Sequence, residues 1–446
     1  MSSPTPPPLT PPPPAPARWG APRVLAAIAA AVLFVLAGVA AAGIEKPAHE
    51  VMRQGGRLTV VLVCTVVGIV LVAWVLLRPR PARPSSLGWF SVTVSTLCLL
   101  ATVFVWVSVA ADDTITGTPG TVVTTPAETA EHLRAEQREG MQQIPTGLMI
   151  QTAQFTDANN VRLTGLLWQR LPASADTKNP AVDLPDAVDG GIGDQVYLLD
   201  NGDGTRTVGW KLRATLREQF DYNHYPLDRQ TIWMTMWPRT AGTVLVPDFA
   251  AYPPWDPEQV YGLYADMVTG EWRTHFSAFS MGEVSNRTTH GAVGTSVEST
   301  VPELHFSTGI TRRFLSPLLD RLVPLIVIAM LVFASLFVVT KDSDRRSLAG
   351  FSTWTVIGFC GAMMLVIAVQ HSSLRSATGA TGIVYAEYFY FILYLVIALV
   401  AFNVVEYTST HRFRLLDWNG NMAARLLYWP VVTVLLLAAT IGVFVL

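Results

Sequence analysis

The residues with the most chemical content lie in one polar stretch, Phe220–Gln230, between two groups of hydrophobic runs. Pro226 disfavours helix at Tyr225 and presets a bend, so residues 221–228 are predicted to form a loop. Asp228 and Gln230 carry side chains that can hydrogen-bond backbone groups and fix this loop. This is the chemistry of a structural contact, and an ordinary loop of a β-sandwich is the alternative interpretation.

Residue types that support catalysis or metal binding are sparse. All three cysteines, Cys64, Cys98 and Cys360, fall in hydrophobic runs, which removes disulfides and cysteine zinc sites from the polar segment. Neither a Gly-rich phosphate loop nor an HExxH pattern occurs. We therefore expect a protein that is not an enzyme, with no catalytic residues, bound metal or cofactor. A net charge of −2 gives no indication of a nucleic-acid partner.

Charged residues make up 14% of the chain, against about 25% in soluble domains, which indicates an integral membrane protein. Seven apolar runs are each close to the ~20 residues that span a bilayer: 24–44, 58–77, 88–111, 318–339, 347–369, 383–405 and 426–446. Basic residues cluster in alternate short loops, at Arg78–Arg83, Lys341–Arg346 and Arg412–Arg425. Such clusters favour the cytoplasmic side. The N-terminus is thus predicted inside, residues 112–317 outside, and the C-terminus outside.

The segment between the third and fourth runs is predicted to be a β-sandwich. A helical patch is expected at 127–139, and short strands separated by Pro, Gly, Asn and Asp follow it: 146–155, 161–171, 194–200, 206–219, 229–237, 243–247, 271–283 and 301–312. Asp200–Gly204 is predicted to form a hairpin turn. The fold class is an α+β membrane protein with five regions: a disordered Pro-rich cytoplasmic tail 1–23, three N-terminal helices 24–111, a linker 112–143, the sandwich 144–316, and a four-helix region 317–446.

Five motifs follow one another in the predicted sandwich and the helices after it: two strands around Trp168, an aromatic-Pro-x-Asp-x-Gln sequence at Tyr225–Gln230, a strand from Glu271-Trp272, the basic pair Arg312-Arg313, and Pro324. With a sandwich that leads directly into four helices, this order resembles the pentameric ligand-gated ion channels, in the cysteine-free form found in bacteria. The resemblance covers residues 145–446.

The resemblance implies a homopentamer in the cell (plasma or inner) membrane, in contact with lipid and permeating ions. A small molecule or a proton would be the stimulus, and the second channel helix, 347–369, would line the pore. Helical spacing places one stripe on that helix: Leu348, Ser352, Thr355, Phe359, Ala362 and Val366. The hydroxyls would replace part of an ion's hydration shell, and Phe359 and Val366 would form a constriction. Simple helix packing is the alternative for this stripe.

The resemblance also implies roles for the signature and for aromatic side chains. Gating would be transmitted by the signature loop and its neighbours: Phe220, Tyr225, Pro226, Asp228, Gln230, Arg312, Arg313 and Pro324. Candidate ligand-binding residues are aromatic: Tyr252, Trp255, Tyr261, Tyr264, Trp272 and Phe279. Glu387, near the outer end of the sixth run, is expected to anchor the interface or to pair with the outer domain.

Two departures from the family favour a second hypothesis. Residues 1–143 have no counterpart in the ordinary family architecture, and the fifth run is almost wholly apolar above Cys360. A non-conducting receptor or scaffold that signals through its added helices is the alternative to a channel.

Overall fold

The computed structural model of the protein describes residues 84–110, 117–254, 260–286, 299–338, 353–380, 382–408 and 421–444. The chain divides into two compact units, the first comprising 1–102 with 426–446 and the second 103–425. In the first unit, Val94 and Cys98 form a small apolar cluster with Leu437 and Ile441. The second unit contains the sheets and most of the helices.

Two β-sheets form a sandwich-like region. Its strands are β1 (Thr121–Val123), β2 (Gln142–Phe155), β3 (Asn160–Pro172), β4 (Val182–Asp183), β5 (Ala187–Asp200), β6 (Thr205–Arg217), β7 (Arg229–Pro238), β8 (Thr243–Pro247), β9 (Leu263–Val268), β10 (Trp272–Asn286) and β11 (Ser299–Arg312). One sheet has the order β1-β10-β11-β7-β4 and the other β5-β6-β3-β2-β8, with β9 beside β2. Most pairs are antiparallel, while β8 and β9 run parallel to β2.

Alternation of apolar and polar residues explains why the segment that forms β3 is a strand. In β3 every second side chain is buried, from Val161 through Leu163 and Leu167 to Leu171. A period of two places these residues on one face of a strand. That face meets buried residues of the opposite sheet, such as Met234 and Phe306, in one core cluster. The sandwich-like region is therefore built around a single hydrophobic core.

Helix α1 (Pro84–Ala110) precedes the sandwich, and the short helix α2 (Pro126–Ala135) leads into it. A one-turn helix (Leu315–Pro317) and a π-helical turn (Leu318–Leu322) follow β11 and run into α3 (Val323–Val338). The remaining helices are α4 (Thr353–Thr378), α5 (Tyr385–Thr408) and α6 (Met422–Phe444). Within the described residues, five helical stretches are long and apolar enough to cross a membrane: 88–110, 315–338, 353–378, 385–408 and 422–444.

The structure confirms the eight strands expected from the pattern, with boundaries shifted by up to several residues. It adds β1, β4 and β9, which are too short or too irregular to give an alternating signal. The hairpin turn is also confirmed, with Gly202 and Gly204 at φ +75° and +82°. Helix α2 ends earlier than expected, because Gln137 adopts φ +56°.

Five of the seven expected spans are represented by these helices. The runs at 24–44 and 58–77 lie outside the described residues, as does the Pro-rich tail. Only α1, the third of the three expected N-terminal helices, is therefore supported, and seven spans and their orientation stay predictions.

Candidate functional site: a contact between loop 220–228 and the helices

Residues 220–228, called here loop 220–228, connect β6 to β7 in a compact turn. The amide of Tyr225 donates to the carbonyl of Tyr222 at 2.9 Å, and the amide of Leu227 donates to the carbonyl of His224 at 2.8 Å. The Tyr225–Pro226 peptide bond is cis. Phe220 is buried, and its ring lies 4.9 Å from that of Phe155. The loop predicted from Pro226 is thus present between two regular strands.

Gln230 closes loop 220–228 with its side-chain amide. Its Oε1 accepts from the amide of Asp221 at 3.1 Å, and its Nε2 donates to the Asp221 carbonyl at 2.6 Å. The same Nε2 donates to Asp228 Oδ2 at 3.2 Å. The predicted bonding of the loop backbone is confirmed for Gln230, whereas the bonds shown for the Asp228 carboxylate go to the side chains of Gln230 and Arg312. An amide is suited to this task because it offers a donor and an acceptor together.

Asp228 also pairs with Arg312, the last residue of β11. The Arg312 Nε and Nη2 atoms lie 2.7 and 3.0 Å from the two Asp228 carboxylate oxygens. The side chain of Asp228 is fully buried and that of Arg312 is 6% exposed. Such two-pronged contacts are both directional and strong. Since β11 leads within three residues into the helices, this pair joins the loop to the start of the helical region.

Aromatic rings and a second carboxylate surround Arg312. Its guanidinium lies 4.0 Å from the ring centre of Trp272 and 4.9 Å from that of Tyr225, and it also bonds Glu271. Burial raises the pKa of the Tyr225 hydroxyl, an effect that the nearby Arg312 charge opposes. The residue types of a cation-binding aromatic box are therefore present, but the cation they hold is the protein's own arginine.

The carbonyls of loop 220–228 bind the first turn of α5. The amide of Tyr385 donates to the carbonyl of Asn223 at 2.8 Å, and the amide of Ala386 donates to the carbonyl of Tyr225 at 3.1 Å. The first amides of a helix have no partner inside the helix. The loop supplies these partners, so a displacement of its backbone acts directly on the N-terminus of α5.

The segment between α4 and α5 also contacts the turn between β2 and β3. A Cβ atom on Gly379, which has φ +56°, would lie 2.7 Å from the Cβ of Ala158. The Tyr222 hydroxyl donates to the Ala158 carbonyl at 3.1 Å. Ala380 packs against the sandwich core. Two loops of the sandwich therefore touch the same short connection between helices.

Glu387 connects α4 to α5 rather than to the sandwich. Its side chain is fully buried, and its carboxylate lies 2.7 and 2.9 Å from Arg375 Nη1 and 3.1 Å from His371 Nε2. It also accepts from the amide of Val384 at 2.9 Å. The ion-pair partner is thus in α4, and the expected pairing of Glu387 with the outer domain is wrong. A buried carboxylate needs compensation nearby, which the neighbouring helix provides.

Glu218, one residue beyond β6, is buried, and no ion pair joins it to a cation within the part of the chain that the structure describes. Both carboxylate oxygens face the amide of Trp233, at 3.2 and 3.3 Å. Burial raises the pKa of Glu218 to about 9, and the negative charge of Asp186 adds to the rise. Its own amide donates to the Asn159 carbonyl at 2.9 Å, in the turn that carries Ala158. Glu218 was not among the candidate functional residues, because in the sequence it lies at the polar end of the strand predicted at 206–219.

A cavity of about 290 Å³ lies between the sandwich and the helices of the second unit. Its walls combine aromatic and charged side chains, among them Tyr222, Tyr225, Trp272, Arg312, Asp320 and Arg321. Arg321 donates to Ser373 Oγ at 3.2 Å. Among the described residues, His, Cys, Asp and Glu form no group of three or more that could hold a metal ion.

Most of the aromatic residues suggested as ligand contacts lie in the interior of the sandwich. Phe279 and Tyr261 are buried, and the Tyr261 hydroxyl accepts from the Phe279 amide at 3.1 Å. The Tyr252 hydroxyl exchanges hydrogen bonds of 2.7 Å with the backbone of Leu148. Trp272 is at the Arg312 site, Tyr264 is about half exposed on β9, and Trp255 lies outside the described residues. The described members do not form one open pocket.

The expected pore stripe lies partly within α4. Thr355, Ala362 and Val366 are exposed in a single chain and Phe359 is partly exposed, while Leu348 and Ser352 are outside the described residues. The adjacent face, about 100° around the helix, carries buried Val356, Cys360 and Ile367. Of the described members, Thr355, Ala362 and Val366 therefore lie at the surface of the single chain.

The two remaining gating candidates flank the start of the helical region. The Arg313 amide donates to the Glu271 carbonyl at 2.7 Å, and its side chain is exposed. Pro324 is the second residue of α3, directly after the π-helical turn. Irregular turns of this kind accommodate a proline, which lacks the amide that a regular helix would use.

A comparison with protein-family models found no model that matches the chain, and a comparison with curated proteins found no match.

Proposed function

We propose that the protein is a ligand- or pH-gated ion channel of homopentameric type in the cell membrane, with the sandwich outside. The observation that carries this proposal is the double attachment of loop 220–228. The loop is bound through Asp228 to the strand that leads into α3, and through its carbonyls to the N-terminus of α5. A sensing domain without mechanical contact to the helices would not need a loop bonded both to the strand that leads into α3 and to the first turn of α5.

The proposed mechanism follows the contacts. A ligand or proton that changes the packing of the sandwich moves loop 220–228 and the β2–β3 turn. The first moves the start of α5, and the second moves the connection at Gly379 and Ala380. The connection begins directly after α4, so its displacement moves the end of that helix. A displacement of α5 also reaches α4, because the Glu387–Arg375 pair holds the two helices together.

The exposed face of α4 is the proposed pore lining. A single helix cannot enclose a water path, so several copies have to present Thr355, Ala362 and Val366 to a common axis. The hydroxyl of Thr355, with that of Ser352, replaces part of the hydration of an ion. Phe359 and Val366 form the apolar constriction that dewets when the channel closes.

The test is ion flux from liposomes containing the purified full-length protein, measured across external pH values from 4 to 10 and with candidate small molecules. We expect a stimulated flux from the unmodified protein. Arg312→Lys keeps the charge but loses the two-pronged contact, so it should assemble normally and respond more weakly. Arg239→Lys is the control, because Arg239 makes a comparable pair with Asp183 at the surface, with side chains 46% and 57% exposed.

A non-conducting receptor or scaffold is the second candidate, and the apolar surface of α4 favours it. Leu365 and Val369 are 67% and 63% exposed, as expected for a face that contacts lipid or another helix. Intact symmetric oligomers that conduct under no pH or ligand condition would contradict the channel and support this receptor. If the protein conducts and Arg312→Lys responds normally to the stimulus, the proposed coupling mechanism is contradicted while the channel function is not.

A further inference from the structure

The end of α1, which belongs to the second unit, contacts the residue of α5 that also binds loop 220–228. Trp106, in the second-last turn of α1, donates from its indole Nε1 to the hydroxyl of Tyr385 at 2.8 Å. Its ring lies 5.3 Å from that of Phe314 and 6.4 Å from that of Phe389. Tyr385 is the first residue of α5, and its amide binds Asn223 of loop 220–228. Trp106 therefore bonds the same residue, Tyr385, that binds the backbone of loop 220–228.

A second contact joins the last turn of α1 to the sandwich. The guanidinium of Arg229 donates to the carbonyl of Val109. The last carbonyls of a helix lack partners within the helix, and an arginine side chain is a suitable donor for them. Arg229 is the first residue of β7 and follows Asp228 directly, so this contact lies at the other end of loop 220–228.

Residues 117–123 lie along the sheet that contains β7. A Cβ atom on Gly117 would lie 3.7 Å from Thr231 Oγ1 of β7, and one on Gly120 would clash with the carbonyl of Met281 on β10. Residues 121–123 pair with β10 as β1. Residues 117–123 therefore lie against two strands of the sheet that contains Arg312.

We propose that the last two turns of α1 are a built-in docking segment that holds Tyr385 and loop 220–228 together. The docked segment is residues 103–110 of this chain, held by the indole N–H of Trp106, the carbonyl of Val109 and the two rings beside Trp106. The consequence for opening rests on the proposed channel function: a docked α1 restricts movement of the α5 N-terminus relative to the loop. The docking itself is independent of conduction.

The experiment is hydrogen–deuterium exchange on the full-length protein in lipid nanodiscs, read on peptides that contain the Tyr385 and Ala386 amides. Trp106→Phe keeps an aromatic ring but removes the N–H donor. We expect those amides to exchange about two to ten times faster, the factor that corresponds to one net hydrogen bond. Trp106→Ala also removes the ring packing and should increase exchange further.

Trp89→Phe is the matched control, because Trp89 lies on the same helix and is 70% exposed. It should leave exchange at Tyr385 unchanged. Tyr385→Phe removes the acceptor, so combining it with Trp106→Phe should add little to either single effect. Unchanged exchange in both Trp106 variants, with intact oligomers, would overturn the docking proposal.

Flux measured on the same samples separates the two proposals. If the unmodified protein does not conduct, the channel proposal fails. The exchange data then still test whether the end of α1 is docked on Tyr385. Faster exchange with an altered flux response supports docking and its consequence together. Faster exchange with an unchanged response in a conducting protein would overturn the restriction on opening.

Discussion

Asp228 and Arg312 form a buried ion pair that joins the last residue of loop 220–228 to the last residue of β11. Their side chains are 0% and 6% exposed, and the Arg312 amide also donates to the Asp228 carbonyl at 3.3 Å. Burying two charges is costly unless each is fully satisfied. Here Gln230, Glu271 and two aromatic rings complete the arrangement. The pair therefore specifies one geometry between the loop and the start of the helical region.

Replacing Asp228 by Asn should destabilise the second unit by about 3 kcal/mol, because it leaves Arg312 buried with reduced compensation. Thermal unfolding in detergent, followed by circular dichroism, measures the effect. Asp183→Asn is the control, since the Asp183–Arg239 pair is exposed and surface pairs contribute only about 0–1 kcal/mol. Equal unfolding temperatures for the two variants would contradict the structural role assigned to the buried pair.

Glu218 should make stability fall as pH rises. Its pKa is raised from an ordinary value of 4.5 to about 9 in the folded protein. Between these values the unfolded carboxyl is ionised and the folded one is protonated, so folding takes up a proton. The free energy of unfolding then decreases by up to about 1.4 kcal/mol per pH unit, and decreases no further above the folded pKa.

Glu218→Gln removes this dependence, because the amide stays neutral in both states. The variant should gain stability over the unmodified protein as the pH is raised from 5 to 9, measured as the difference in unfolding temperature at each pH. Glu131→Gln, at an exposed position on α2, is the control and should show no such trend. A constant difference across the range would mean that Glu218 is ionised in the folded protein.

Gly379→Ala should weaken the contact between the α4–α5 connection and the β2–β3 turn. The new Cβ would lie 2.7 Å from that of Ala158, and the residue would also be strained at φ +56°. Gly202→Ala introduces similar strain at φ +75° with no atom within 4 Å, so it isolates the backbone effect. We expect Gly379→Ala to lower the free energy of unfolding by about 1–3 kcal/mol more than the control. Equal losses in the free energy of unfolding for Gly379→Ala and Gly202→Ala would show that the β2–β3 turn moves away from the new Cβ without loss of stability.

Glu387 and Arg375 should behave as one unit in a double-mutant cycle. Glu387→Gln and Arg375→Gln each break a pair in which the carboxylate is fully buried. The double variant should therefore lose less stability than the sum of the single variants, by about 0.5–3 kcal/mol. Unfolding temperatures of all four proteins in one detergent give the coupling. Additive losses would indicate that His371 and the Val384 amide satisfy Glu387 by themselves.

The elements that were predictable from the sequence are those with a regular alternation of apolar side chains or with a long apolar run. The alternation in β3 and the apolar length of α3 to α6 require only a count of side chains along the chain. The short strands β1 and β4 were not predicted, because a segment of two or three residues is too short to show an alternation of apolar and polar side chains. Their pairing depends on β10 and β7, which are far away in the chain.

The functional site was predictable only in part. Tyr225–Gln230 and Arg312 stand out by residue type and by their resemblance to a family signature. Glu218 and Trp106 do not, since a glutamate at a strand end and a tryptophan in an apolar run have ordinary surface and lipid-facing roles. The aromatic candidates Tyr261 and Phe279 lie in the sandwich core, where their rings contribute large apolar area, and the sequence pattern did not indicate this burial.

The sequence by itself determined the membrane-compatible helices, the sandwich-like sheets and the shape of loop 220–228, because each follows from local periodicity or from the backbone limits of proline. Only the tertiary structure decided the partners of that loop. The Asn223 and Tyr225 carbonyls bind the first amides of α5, Asp228 binds Arg312, and Trp106 binds Tyr385. These contacts join residues separated by about 80 to 280 positions. Hydrogen-bond partners at such separations are set by how the elements pack, and that information is not contained in any short stretch of the chain.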